Sequence, residues 1–124
     1  MKKLEAIVQP SKVEDVKKAL VEIGLKGLNV GKIEGFAQDS KRKRAVRSVE
    51  YQVDVVPMAT ISTVVDDAVV DSAIAAIKNA ASTDRSGDGR IFVSDIGQAI
   101  NIRNGESGNL AISRPSETEQ RGAA

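Results

Sequence analysis

The chain has 124 residues, and its 18 lysines and arginines nearly cancel 17 acids to leave a formal charge of +1, so any electrostatic function must be local. Cysteine and histidine are absent, which excludes disulfides, thiol nucleophiles, the usual zinc sites and imidazole acid–base chemistry. The length fits one small domain with a modest core; no window approaches the roughly 18 apolar residues of a membrane span, and Glu5 interrupts the apolar run after the N-terminal lysines, so no signal peptide or membrane insertion is expected and a cytoplasmic protein is.

In chain order, Leu4 to Val8 alternates as a strand with Leu4, Ala6 and Val8 on one face, and Pro10 closes it. Ser11 with Glu14 reads as a capping box for a helix whose stripe is Val13, Val16, Leu20 and Ile23, ended by Gly24 and Gly27. Leu28 to Phe36 is a second strand in which Gly31 marks a bulge or a close approach. Tyr51 to Val65 is strand-rich. Asp66 or Asp67 can cap a second helix buried through Val70, Ala73, Ile74, Ile77 and Ala81, and Ile91 to Ile96 is the last strong strand. The order β-α-β-β-α-β is the split βαβ, a ferredoxin-like α+β fold. The pairs Ile7–Val8, Val55–Val56 and Val64–Val65 place apolar side chains on both sheet faces. No sequence remains for another layer, so a homo-oligomer packing its sheets together is expected, unless one valine of each pair lies exposed.

Two segments outside this periodicity carry the functional signal. Thr83 to Phe92, TDRSGDGRIF, joins two glycines, an acid and a base to the start of a strand. Gly87 and Gly89 allow close approach of a ligand to the main chain, and Arg90 supplies a planar fork matched to phosphate oxygens. It is not a Walker loop, because GxxxxGK[ST] is absent and the following IFV is strand-like. The ordinary alternative is a connecting turn at Asp88-Gly89. The second segment, Ala37 to Val49, holds Lys41, Arg42, Lys43, Arg44 and Arg47 against Asp39, and reads as a long basic loop that either docks on an acidic protein surface or a phosphate, or is simply solvated. Stacking of RNA bases is disfavoured, since Phe36, Tyr51 and Phe92 do not make the RNP pattern. The segment from Glu106 is mostly polar, with Leu110, Ala111 and Ile112 able to add a short strand or pack on a neighbour.

The stretches MKKLEAIVQPSKVEDVKKALVEIGLKGLNVGKIEGF, EYQVDVVP, SGDGRIFVSDI and IRNGE together resemble the PII signal-transduction proteins over residues 1–112, leaving 113–124 as a flexible tail. The resemblance implies a ferredoxin-like homotrimer with nucleotide clefts between subunits, a T-loop at about 37–55 that engages a target protein, a B-loop at about 82–90 and a C-loop at about 101–109. It implies that Thr83, Gly87, Asp88, Gly89 and Arg90 hold nucleotide phosphates with Arg103 of the neighbouring subunit. Ile7, Gly35, Phe36 and Val64 would lie at the adenine and ribose end. Lys41, Arg42, Lys43, Arg44 and Arg47 would meet the partner, a transporter or metabolic enzyme, and Tyr51 matches a tyrosine modified in some members, in the context RSVEY for the usual RGAEY. ADP, AMP or ATP would be the effector ligand, with Mg accompanying ATP; no catalytic residue, resident metal or nucleic-acid partner is implied.

Several positions depart from the family. Where 2-oxoglutarate-sensing members carry a glutamine and a lysine, this chain has Asp39 and Met58: an acid repels a dicarboxylate and methionine offers no cation. Asn101 stands where arginine is usual; losing one charge-assisted contact costs about 1.5–3 kcal/mol, so ADP or AMP is expected to compete with ATP. Arg90 replaces the usual lysine. The expected function is thus a PII-like regulator responding to energy or carbon status, bicarbonate being one candidate signal. Its alternatives are an ordinary nitrogen regulator binding Mg-ATP and 2-oxoglutarate, an RNA-binding module, or a small hydrolase using Asp88 with Arg90.

Overall fold

A computed structural model describes residues 1–37, 54–108 and 111–112. Four strands, β1 (Lys2–Val8), β2 (Asn29–Ala37), β3 (Asp54–Val65) and β4 (Gly89–Asp95), form one antiparallel sheet in the order β2-β3-β1-β4. The helices α1 (Val13–Glu22) and α2 (Val70–Ala81) make the β-α-β-β-α-β plan complete. Their inward stripes, Val16 and Leu20 from α1 and Ala73, Ile77 and Ala81 from α2, bury against Leu4, Ala6 and Val8 of β1 and Ala59, Ile61 and Val65 of β3. Each fully buried Leu, Ile or Val contributes about 1.5–3 kcal/mol, so this single layer of contacts is the main source of stability.

The alternation expected of β1 is present, and Pro57 sits in β3 where only β2 pairs with it, opposite Glu34, beyond the last β1–β3 pair at Val8–Ala59. Its missing N–H therefore costs no ladder bond on the β1 side. The β2–β3 register is continuous, so Gly31 is no bulge: a Cβ there would stand 3.2 Å from Thr60 Cγ2, the close approach of the two readings. The ladder reaches Ala37 and Asp54, which places both in the hairpin stem.

The helix ends correct part of the sequence reading. Ser11 is not a cap, because a 3-10 turn over Pro10–Lys12 precedes α1 and puts it inside a helical turn; the residue preceding α1 is Lys12, without a side-chain cap. Ile23 is not in the buried stripe either. It is the C-cap residue and 39% exposed, because Gly24, at φ +98°, turns the chain away. Gly24 N–H donates to Val21 O at 2.9 Å and Leu25 N–H to Leu20 O at 3.1 Å, the paired bonds of a Schellman ending. At α2, Asp66 is the acid that caps: its Oδ1 accepts from Ala68 N–H at 3.2 Å, ahead of a 3-10 turn over Asp67–Val69.

Both helices cover the same sheet face. The other face carries Ile7, Ile33, Val56, Met58, Val64 and Phe92, interleaved with Lys3, Glu5, Thr60, Ser62 and Ser94. Apolar residues on both faces are therefore found at Ile7–Val8 and Val64–Val65, while Val55 is on the helix side but 51% exposed, left uncovered by the helices. Ala111 and Ile112 are helical rather than strand, with Ala111 N–H donating to Gly108 O at 3.0 Å.

Candidate functional site

The loop between α2 and β4 is built around one carboxylate. Asp88 accepts from Thr83 Oγ1 at 2.5 Å, Thr83 N–H at 2.7 Å and Arg85 N–H at 3.4 Å. These donors, the Thr83 hydroxyl first, hold its carboxyl below the usual carboxylate range. Asp88 thus closes the loop upon itself. Backbone in the left-handed region recurs through the turn, at Asp84 (φ +61°), Gly87 (φ +94°) and Gly89 (φ +117°). Gln9, past the end of β1, donates from Nε2 to Gly87 O at 2.6 Å and ties the loop to the sheet.

A carboxyl whose pKa is lowered by folding stabilises the folded loop above its unfolded value near 4, and that contribution is lost as pH falls through the folded value. We expect the amide signals of Thr83 and Arg85 to shift together on acidification below pH 4, and Asp88→Asn to reproduce that shift at neutral pH. Unchanged amide shifts in the variant would contradict this role.

Gly89 pairs with Val8 and Arg90 with Ile7. Arg90 is therefore an exposed edge-strand residue beside Ile7 on the face away from the helices, and the glycine loop meets the sheet next to both. Gly35, paired with Val56, lies toward the same end of the sheet, where β1 ends and β4 begins. Phe36 also lies there but points to the helix side, opposite to Ile7 and Gly35, and is 69% exposed. A Cβ on Gly35 would stand 3.6 Å from Val56 O and 3.8 Å from Met58 Cγ, so main chain and the Met58 side chain edge this position.

Val64 and Arg103 are elsewhere. Val64 pairs with Lys3, eight residues along β3 from the Gly35 partner Val56, about 27 Å at strand rise. Arg103 follows the far end of β4, where Ile96 N–H donates to Met1 O at 3.1 Å. One protomer brings together Ile7, Gly87, Gly89 and Arg90; Gly35, through its partner Val56, and Val64 each stand four residues along β3 from Thr60, the partner of Ile7, in opposite directions, and Arg103 lies at the far end of the sheet. The latter two belong to the opposite end of the sheet, near a hairpin in which Ile100 bridges Ser107 and Asn101 N–H donates to Glu106 O at 2.7 Å. The Asn101 side chain is used within that hairpin, its Oδ1 accepting from Arg103 N–H at 3.0 Å. Such an Asn i to i+2 bond is a local signal that the sequence could have disclosed. Gln9 had none, because its role depends on β1–β4 pairing.

Lys41, Arg42, Lys43, Arg44, Arg47 and Tyr51, with Asp39, lie outside the described residues. Among the described residues no group of three or more acids is placed to hold a metal ion, and no helix is long and apolar enough to cross a membrane.

Comparison with known proteins matches residues 1–106 to the family described as Nitrogen regulatory protein P-II. Curated relatives of that name from Bradyrhizobium diazoefficiens and Rhodospirillum rubrum are each 49% identical over 112 residues, covering 90% of this chain and 100% of the relative. Nitrogen regulatory protein P-II 1 of Escherichia coli K12 is 41% identical with the same coverage.

Proposed function

Because this chain belongs to the nitrogen regulatory protein P-II family of signalling regulators, we propose that it binds adenine nucleotides in clefts between the protomers of a homotrimer and regulates a cytoplasmic target protein through the T-loop expected at about 37–55. The observation that carries the reading is the convergence of Gly87, Gly89 and Arg90 upon Ile7 at one sheet end, with the Asp88 carboxylate engaged by Thr83 and Arg90 exposed. Glycine backbone and a guanidinium suit phosphate oxygens, and apolar Ile7 beside Arg90 suits an adenine. The residues present fit the ligand. Arg103 and Val64 of a neighbouring protomer would complete the cleft, and Mg would enter only with ATP.

The signal it reports is energy or carbon status rather than 2-oxoglutarate, since Met58 stands where 2-oxoglutarate-sensing members carry a lysine and offers a dicarboxylate no cation. A nitrogen regulator that binds Mg-ATP and 2-oxoglutarate is the second reading, favoured by the names of the relatives. Calorimetry with ATP, ADP and AMP, each with and without 2-oxoglutarate or bicarbonate, separates the two. The proposal expects nucleotide binding that 2-oxoglutarate leaves unchanged; a 2-oxoglutarate signal dependent on Mg-ATP establishes the second reading, and no binding of any nucleotide overturns both.

A further inference from the structure

The hairpin that follows β4 turns through an asparagine and a glycine, Asn104-Gly105, in a stretch exposed from Ile102 to Gly105. Asn29, Asn79, Asn101 and Asn109 each precede a residue whose side chain shields the next main-chain nitrogen, whereas Gly105 has no Cβ to do so. An unshielded amide nitrogen beside a carboxamide is a reactive pair. The Gly105 nitrogen can attack Asn104 Cγ: a C–N bond forms, the Gly105 N–H proton passes through solvent to the leaving nitrogen, ammonia departs and a cyclic imide remains. Water then opens the imide at either carbonyl, leaving aspartate or isoaspartate. One water is consumed for each ammonia released, with no oxidant or cofactor.

In the closed hairpin the groups that must move are engaged. Gly105 N–H donates to Asn101 O at 2.8 Å, Asn104 Oδ1 accepts from Glu106 N–H at 3.0 Å, and Asn104 Nδ2 donates to Glu106 Oε1 at 2.9 Å. Exposed turns of this kind open locally without global unfolding. We propose that Asn104 is a self-modification site gated by this hairpin: it deamidates when the turn opens, and the product loosens the turn. A carboxylate in place of the Nδ2 donor faces the Glu106 carboxylate, and like charges so close repel. Isoaspartate also adds one main-chain carbon, so the bonds spanning Asn101 to Glu106 lose their fit. A new negative charge next to Arg103 would weaken an anion contact made there. That consequence rests on the nucleotide reading above, whereas the modification does not.

Wild-type protein held for weeks in mildly alkaline buffer, native or in guanidinium, is digested with trypsin, and the peptide beginning at Asn104 is read by tandem mass spectrometry. Acid at 104 is expected to accumulate in both, severalfold faster in guanidinium, while Asn109 in the same peptide stays an amide. Glu106→Ala removes the carboxylate acceptor and is expected to deamidate severalfold faster than wild type in native buffer, with equal rates in guanidinium. Glu106→Gln, whose amide oxygen still accepts, is expected to stay near wild type. The modified protein, separated by ion exchange, is expected to lose hydrogen-exchange protection at Gly105 and Glu106 while the sheet amides keep theirs. An intact Asn104 after the native incubation, equal wild-type rates in buffer and guanidinium, an unchanged native rate in Glu106→Ala, or full protection in the product would each overturn the proposal.

Discussion

Gly89→Ala is expected to destabilise the protein by about 3 kcal/mol or more, one of the largest effects of any single methyl group in this chain. Two independent penalties combine. The backbone at Gly89 has φ +117°, a conformation that L residues rarely adopt, and a Cβ there would stand 1.8 Å from Ile7 O and 2.8 Å from Ile7 C. Those atoms are main chain of the neighbouring strand, so relief requires parting β4 from β1 at the Val8–Gly89 pair. Denaturant unfolding would show a lowered midpoint, and the melting temperature should fall by roughly 10 °C or more. Gly97→Ala is the control, because nothing stands within 4 Å of a Cβ there and its φ lies outside the glycine-favouring region. Equal stability of the two variants would refute the argument.

Arg90→Ala is expected to lower affinity for ATP and ADP by about ten- to a hundredfold, the worth of one charge-assisted phosphate contact of about 1.5–3 kcal/mol. The fold should be unaffected within about 0.5 kcal/mol, since the side chain is exposed and its strand pairing with Ile7 is made by backbone. Arg90→Lys keeps the charge but loses the fork, so its affinity should fall between the two. Titration calorimetry on the three proteins checks the order. Equal affinity in wild type and Arg90→Ala would show that the glycine loop is only a connecting turn.

Much of the fold was legible in the sequence because it is written in local spacing. A period of two exposed Leu4, Ala6 and Val8 as one strand face, and a period near 3.6 exposed Val16 with Leu20 and Ala73 with Ile77, all of which are buried. Helix boundaries were less legible. Ser11 and Asp66 both look like caps, yet only Asp66 caps, because Pro10 starts a 3-10 turn one residue before Ser11. The candidate site was legible in its composition, glycines and an arginine before a strand, but not in its division of labour. That Asp88 also holds the loop through Thr83 and Arg85 depends on the folded turn and had no signal in the sequence.

What the sequence determined by itself is the element order, the core stripes and the chemical character of the glycine loop, since each depends on residues a few positions apart. Tertiary structure alone decided which residues share a place. Strand register set Arg90 beside Ile7, put the Ile7 carbonyl where a Gly89 side chain would go, turned Phe36 to the face opposite Gly35, and sent Val64 and the Arg103 hairpin to the far end of the sheet. The physical reason is that hydrogen-bonded pairing between strands distant in sequence assigns both level and face, and a shift of one residue would reverse every face.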